Sequence, residues 1–321
     1  MNRSRVRLAR PGLSSGRRGC RPVPERLEER SLLSTFTVVN TDDGGPGSLR
    51  QAILGANALA GLDTIDFNFP RAGRYTIMPL SGLPSIDDPV TIDGTTQPGY
   101  AGVPFIELDG SRAATEVGLS LSGGSTVRGL VINRFALGVL LSGGGGNRVE
   151  GNYIGTDLTG NQAAGNLQNG IEIVSSSANV IGGTTAAARN VIAGNGRGGI
   201  EVNGTGNTIE GNYIGLGADG ATALGNTRNG IHLLNSQNTI GGIAPGAGNV
   251  ISGNGLNGIH DEDGSGIIIQ GNFIGTDATG LIAVGNHGDG VKTEPGGDVI
   301  GGTDPGAGNL ISGNGDRKSV V

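Results

Sequence analysis

The chain has no tryptophan and few aromatic residues, so its core must be built from aliphatic side chains. Aromatic residues make up 3% of the 321 residues, whereas isoleucine, valine and leucine recur throughout. The single cysteine, Cys20, allows no internal disulfide and has no partner for a metal site. No run of 18 apolar residues occurs, so no transmembrane span is expected.

Basic residues are scarce outside the first 30 positions. Residues 1–30 carry nine arginines against three glutamates, which leaves the rest of the chain with a net charge near −12. Because nucleic-acid-binding proteins need a basic face, no nucleic-acid partner is expected.

The sequence instead contains a short stretch, called here the repeated phrase, that returns every 60 residues. The stretch GNYIGTDLTGNQAAGN begins at Gly151, and related stretches begin at Gly211 and Gly271. Each 60-residue unit contains two coils, since apolar strand signals return about every 30 residues. Repeats of this kind bury apolar faces only against their neighbours, which is typical of a solenoid.

Each coil contains three short strand signals bounded by glycine, asparagine or serine. The first strands begin at Leu119, Val139, Ile171, Ile200, Ile231, Ile259 and Val291. The second strands lie at Ile181, Ile209, Ile240, Ile268 and Ile300. The third strands centre on Ile154, Ile192, Ile214, Ile251, Ile274 and Ile311. The pattern predicts an all-β fold, a right-handed parallel β-helix with three short strands per coil.

Two further rows accompany the third strands. An asparagine stands two residues before each isoleucine and is expected to form a ladder from coil to coil: Asn152, Asn190, Asn212, Asn249, Asn272 and Asn309. The residue between each asparagine and its isoleucine is expected to point outward. These residues form an apolar stripe: Tyr153, Val191, Tyr213, Val250, Phe273 and Leu310. We expect the long connections to cover this stripe; a partner surface is the alternative.

These repeats resemble the right-handed parallel β-helix repeats of the pectin-lyase-like superfamily, over roughly residues 115–315. The resemblance implies the fold more strongly than an activity. Residues 35–69 resemble the start of bacterial surface β-helix proteins, which implies a structural cap. Ser48 and Gln51 form a capping-box pattern, and Leu49, Ala52, Ile53 and Ala56 share one helical face.

Four segments are therefore predicted. Residues 1–34 form a basic N-terminal segment, in which RLEERSLLS (26–34) resembles a sorting motif of exported bacterial proteins; a disordered arm is the alternative. Residues 35–115 form the cap, and residues 116–315 form the coils. Residues 316–321, DRKSVV, match the translation of a common sequencing adapter and are predicted to be an artefact of a longer gene; a natural basic tail is the alternative.

The candidate site is an outward row on the first strands. One residue after each inward position stand Glu172, Glu201, His232, His260 and Lys292. Stacked about 4.8 Å apart, the two glutamates would be like charges, which raises one pKa or recruits a cation, and their spacing approaches that of a retaining glycosidase pair. A solvated sheet face with no function is the alternative.

No cofactor is expected. Asp157 and Asp277, in the turns GTDLTG and GTDATG, are weak candidates for calcium, because one carboxylate per loop is few for an ion that takes six to eight oxygens. Asp-Asp pairs at Asp42–Asp43 and Asp87–Asp88 and the NHGDG stretch at 286–290 do not assemble a polygalacturonase motif set.

The sequence favours an exported or cell-surface β-helix protein that is not an enzyme. It would act in adhesion or carbohydrate interaction, with an extracellular polysaccharide or the cell envelope as partner. The alternatives are a polysaccharide lyase or glycoside hydrolase of the same fold, and a structural spacer within a longer chain. Fold analogy alone cannot choose among them.

Overall fold

The computed structural model describes residues 33–294 and 297–315. Within these residues the chain winds into a right-handed parallel β-helix, and strands one coil apart pair in parallel to build three sheets. The predicted segment 1–34, apart from its last two residues, and the predicted artefact 316–321 lie outside the described residues. No helix in the described part is long and apolar enough to cross a membrane.

The first sheet is made of the first strands of each coil. Its strands are Val117–Gly123, Leu137–Gly145, Ile171–Val174, Ile200–Asn203, Ile231–Leu233, Ile259–Asp261 and Val291–Thr293. The predicted inward positions pair as expected, with Leu119 on Val139 and Ile171 on Ile200.

The second sheet begins before the regular coils. Its strands are Thr35–Val38, Asp63–Phe67, Val90–Asp93, Thr126–Arg128, Arg148–Glu150, Val180–Gly182, Thr208–Glu210, Thr239–Gly241, Ile268–Gln270 and Val299–Ile300. The strand predicted at Ile268 begins there, but its inward residue is Ile269, which pairs with Ile240, whereas Ile268 is 37% exposed. Because residues 267–269 are all isoleucine, the apolar pattern could not fix the register there.

The third sheet carries the repeated phrase. Its strands are Tyr75–Ile77, Ile106–Asp109, Leu130–Asn133, Tyr153–Ile154, Val191–Ile192, Tyr213–Ile214, Val250–Ile251, Phe273–Ile274 and Leu310–Ile311. The predicted isoleucine stack is confirmed, since Ile154, Ile192 and Ile214 are in register and fully buried. Gly215 closes the phrase GNYIG with φ +89°, and a Cβ there would collide with the Ser252 carbonyl and the Asn254 side chain.

The helix α1, Leu49–Asn57, lies against the N-terminal strands. The Ser48 side chain accepts a hydrogen bond from the Gln51 amide, and the four residues of the predicted apolar face are buried. Short 3₁₀ turns occupy Gly94–Thr96, Gly110–Arg112 and Ala186–Ala188. Strands on both sides of residue 115 belong to the same sheets.

Three asparagine ladders line the inward corners, where the sequence analysis had found one. Ladder one is the predicted set, in which Asn152 donates from its amide nitrogens to Asn190 Oδ1, and Asn190 to Asn212 Oδ1. Ladder two contains Asn147, Asn179, Asn207 and Asn238. Ladder three contains Asn166, Asn195, Asn226, Asn254, Asn286 and Asn314. These amides satisfy backbone groups that would otherwise be buried without partners.

Candidate functional site

The predicted outward row on the first sheet is stacked in register. Glu172 pairs with Glu201, Glu201 with His232, His232 with His260, and His260 with Lys292. We call these five residues the ionisable row. Their side chains are half-buried except for Lys292, which is exposed.

The two glutamates share a donor. Asn169, buried at the turn before the first of these strands, places its Nδ2 3.3 Å from Glu172 Oε2 and 3.4 Å from Glu201 Oε2. A shared amide reduces the repulsion between the neighbouring carboxylates, since it donates to both.

The expected rise in a carboxylate pKa does not occur at Glu201. The His232 ring, with its Nδ1 3.7 Å from Glu201 Oε2, lowers the pKa of Glu201, and burial only partly opposes this effect. The acid of a glycosidase pair needs a raised pKa, so Glu201 is unsuited to that role.

The two histidines are perturbed in opposite directions. Glu201 raises the pKa of His232 against the effect of burial, and Glu262 adds to the rise, with its Oε2 2.7 Å from His232 Nε2. Burial lowers the pKa of His260, and the charges of His232 and Lys292 lower it further. The two rings are stacked with centroids 5.1 Å apart. Neighbouring imidazoles therefore favour different protonation states near neutrality.

A shallow cavity of about 270 Å³ lies over this part of the row. Arg197 and Arg228 line it from turns in consecutive coils, and Leu256 follows in the next. The cavity therefore combines two cations with the carboxylates of Glu201 and Glu262.

The calcium candidates act as turn caps. Asp157 Oδ1 accepts hydrogen bonds from the Thr159 amide and hydroxyl, and Asp277 Oδ1 accepts from the amides of Leu281 and Ile282. In the middle copy, Asp219 stands two positions later in its loop and accepts from the amides of Ala221 and Thr222. The recurrence of aspartate in these loops is explained by turn geometry.

The outward apolar stripe of the third sheet is covered where the long connections cross it. Tyr153 and Val191 are buried with Val131, and Leu158 and Ala218 from two successive connections pack on them. The predicted cover is thus confirmed there, whereas Leu310 in the last coil is 37% exposed.

A larger cleft lies over the second sheet. This cavity of about 490 Å³ is lined by Tyr100, Arg128, Arg148 and Glu150, with Thr184, Thr185 and the 3₁₀ turn Ala186–Ala188 on one side and Glu210 at the end. We call it the Tyr100 cleft. A second cavity of about 220 Å³ adjoins it through Tyr100 and Ala187.

Opposite charges alternate along the floor of the Tyr100 cleft. Asp93, Arg128 and Glu150 are in register on successive strands. Arg128 lies 2.5 Å from Asp93 Oδ2 and 3.9 Å from Glu150 Oε1, and Arg148 lies 3.0 Å from Glu150 Oε2. The cations are thus already partnered by carboxylates of the same floor.

These pairs shift the pKa values of the cleft. Burial raises the pKa of Asp93, but hydrogen bonds from Arg128 and Thr95 outweigh it and leave that pKa lowered. The same bond to Asp93 raises the pKa of Arg128. Burial and the Asp93 charge raise the pKa of Tyr100. Near neutral pH the floor is a set of ion pairs beside a neutral phenol.

Sequence reasoning missed this cleft. Tyr100 is 28 residues from Arg128, and Ala187 lies in a connection two coils after the strand that carries Arg128. No local sequence motif therefore joins these residues. A signal was present at Arg128 and Glu150, since both are charged residues at the end of a short strand, directly before the corner glycines Gly129 and Gly151.

The acidic pairs outside the coils have structural partners. Asp43 forms an ion pair with Arg50 at 2.8 Å, and Asp88 Oδ2 accepts from the Gly61 amide. Asn286, at the start of the NHGDG stretch, is a member of ladder three. None of these residues lines any of the three cavities.

Comparison with known proteins adds little. No family model matches the chain, and no curated protein matches it. A similar solved structure is the alginate lyase from Paenibacillus sp. str. FPU-7, at 17% identity, covering 83% of this chain and 97% of that chain with a TM-score of 0.44. The fold assignment therefore rests on the three parallel sheets themselves.

Proposed function

We propose that this protein is an exported, non-enzymatic β-helix that binds a hydroxyl-rich polysaccharide in the Tyr100 cleft. The observation that carries the proposal is the cleft itself, an open cavity of about 490 Å³ in which Arg128 pairs with Asp93 of the preceding coil and Arg148 pairs with Glu150 of its own strand. Concave sites with a few converging polar groups are the usual places for ligands.

The chemistry of the cleft fits sugar hydroxyls. A hydroxyl donates one hydrogen bond and accepts up to two, so it can bridge a guanidinium and a carboxylate. Arg148 and Glu150 offer such a pair 3.0 Å apart, and the ring of Tyr100 adds an apolar surface beside them. Glu150 and Glu210 balance the two arginines that line the cleft, and the buried Asp93 is paired with Arg128, so a polyanion meets no net positive charge.

The same groups suit binding better than catalysis. A general acid requires a carboxyl with a raised pKa, whereas the pKa of Asp93 is lowered. Tyrosine and arginine act as general bases only when they are already deprotonated, whereas the pKa values of Arg128 and Tyr100 are raised, which keeps both groups protonated. These shifts favour a site that holds a glycan without breaking it.

The binding test compares cleft variants with wild type on immobilised neutral and acidic polysaccharides. Tyr100→Ala and Arg148→Ala are expected to weaken binding of a neutral polysaccharide by at least about tenfold, the effect of losing about 1.4 kcal/mol of contact energy. Arg228→Ala, an exposed arginine of the other cavity, is the matched control and should bind as wild type. Unchanged binding in Tyr100→Ala, or binding restricted to polyanions, contradicts the proposal.

Export to the cell surface belongs to the same proposal. It is supported by the RLEERSLLS motif, of which residues 26–32 lie outside the described residues, and by the likeness of residues 35–69 to surface β-helix proteins. A fusion of residues 1–40 to a reporter should leave the cytoplasm of a native-type host. A reporter that stays wholly in the cytoplasm argues against export, but this result does not test glycan binding in the cleft.

A further inference from the structure

Three metal-binding side chains meet on the outer face of the first sheet. His232 and His260 lie on strands one coil apart, and Glu262 follows directly after the second of these strands. One ligand atom from each residue can be chosen so that all three lie within 4.8 Å of one another. The convergence arises from the parallel register, which stacks equivalent residues at the spacing of neighbouring strands.

The three donor atoms must come to a common spacing to hold an ion. Zinc binds imidazole nitrogen at about 2.0–2.1 Å, so two donors in a tetrahedral site lie about 3.3–3.4 Å apart, whereas the three atoms here lie within 4.8 Å of one another. Glu262 Oε2 already lies 2.7 Å from His232 Nε2, and the Glu262 side chain is 51% exposed. Rotation of the exposed Glu262 side chain and of the two half-buried imidazoles on the outer face of the sheet can supply this adjustment without moving the core.

The donor set selects the class of metal. Two imidazoles and one carboxylate suit Zn²⁺ and neighbouring transition metals, whereas Ca²⁺ and Mg²⁺ prefer all-oxygen sites. Three protein ligands on a half-exposed sheet leave a fourth position open to solvent, as in His₂Glu zinc sites.

A second carboxylate orients one of the ligands. Glu201 Oε2 lies 3.7 Å from Nδ1 of His232, on the side of the ring opposite Glu262, and Asn169 holds Glu201 in turn. A histidine bound to metal through one ring nitrogen commonly donates its other N–H to such a carboxylate, which fixes the ring. The row therefore contains both the ligands and a supporting partner.

We propose that His232, His260 and Glu262 form a binding site for a Zn²⁺-class divalent cation, with Glu201 as the positioning residue for His232. Lys292, stacked on His260 in the next coil, and Arg228 in the cavity wall oppose the cation's charge. This site is separate from the Tyr100 cleft, so the two proposals can fail independently.

Titration calorimetry of the full chain with zinc chloride alone tests the site. Wild type should bind one Zn²⁺. Both His260→Ala and His232→Ala should abolish this binding. Glu201→Gln should weaken affinity by about tenfold or more, as second partners of metal-bound histidines do. Lys292→Gln should tighten it by a few fold, because a neighbouring positive charge is removed.

The control is His287→Ala, the chain's other histidine, which should leave the stoichiometry at one. Circular dichroism confirms that each variant is folded; if His232→Ala unfolds, His260→Ala at the more exposed end of the pair decides. Zinc binding that persists in His260→Ala, or no binding by wild type, overturns the proposal.

Discussion

The asparagine ladders and the ionisable row are products of the same register, yet only the ladders can repeat indefinitely. An amide both donates and accepts, so Asn190 satisfies Asn152 while Asn212 satisfies Asn190. A carboxylate only accepts, and an ammonium only donates, so identical charged residues cannot bond to one another, and the stacked Glu172 and Glu201 share the Asn169 amide instead. Outside, the row therefore changes from glutamate to histidine to lysine, and each coil can differ from the last.

The inward and outward positions therefore contribute differently: the inward residues stabilise the coils, and the outward residues form the candidate sites. Most inward positions keep their residue type from coil to coil, and they carry the recurrent phrase. The outward positions can vary, and both candidate sites occur where they do: Arg128 and Glu150 near the N-terminal coils, and His232 and His260 in the middle. We infer that function in this fold is located in departures from the repeat.

Breaking a ladder should have the largest effect. Asn212 accepts from Asn190 and donates to the carbonyls of Ile181 and Glu210 and to Asn249 Oδ1. Asn212→Leu leaves several of these buried groups without partners at about 1–3 kcal/mol each, so we expect at least about 3 kcal/mol of destabilisation in urea unfolding. The exposed Asn203→Ala is the control, with a change within about 0.5 kcal/mol. Equal unfolding midpoints for Asn212→Leu and wild type would contradict the ladder's role.

Replacing a carboxylate at an inward position should have the next largest effect on stability. Asp261 takes the place of Leu233 in the core and is fully buried, and Asp298 occupies the line of ladder two, accepting from the Ile267 amide. Burial, with Asp298 beside it, raises the pKa of Asp261 to about 6. Because the folded-state pKa lies above the ordinary value, the stability from this group is present below about pH 4 and lost as pH rises through about 6.

Asp298→Asn should therefore stabilise the protein above pH 6 and flatten the dependence of the unfolding midpoint between pH 4 and 7. The variant removes a neighbouring charge and supplies a ladder amide. Asp304→Asn, an exposed aspartate of the same last coil, should leave the slope as in wild type. Parallel pH curves for Asp298→Asn and wild type would show that the two carboxylates do not interact.

The sequence predicted the inward framework well, because burial repeats the same residue types at the same spacing. Ile154, Ile192 and Ile214 are where the period put them. Ladder three was missed because Asn195, Asn254 and Asn314 each precede a glycine, and Asn-Gly pairs are usual in turns. The Asn-Gly pairs at Asn169 and Asn229, outside this ladder, are also buried and accept backbone N–H groups from neighbouring coils. The Tyr100 cleft could not be predicted, since it joins outward residues from separate coils that share no pattern.

The ionisable row should give the smallest effect on stability and the clearest effect on titration. In metal-free buffer with chelator, NMR should show the pKa of His232 above that of His260. Glu201→Gln should lower the pKa of His232 toward its ordinary value, because it removes the principal charge partner, while Glu172→Gln leaves it raised. The unfolding midpoint should change little, as for other partly exposed ion pairs. If the pKa of His232 is the same in Glu201→Gln and Glu172→Gln, Glu201 is not the charge partner that raises it.

We propose that the outward residues of the Tyr100 cleft bind a glycan without cleaving it. The direct measurement is mass spectrometry of the polysaccharide that wild type binds best, recovered after prolonged incubation with the protein. We predict that the glycan is bound, is lost from Tyr100→Ala, and is recovered at its original chain length. Shortened chains, with either unsaturated or hydrolysed ends, would contradict the account and identify the protein as an enzyme.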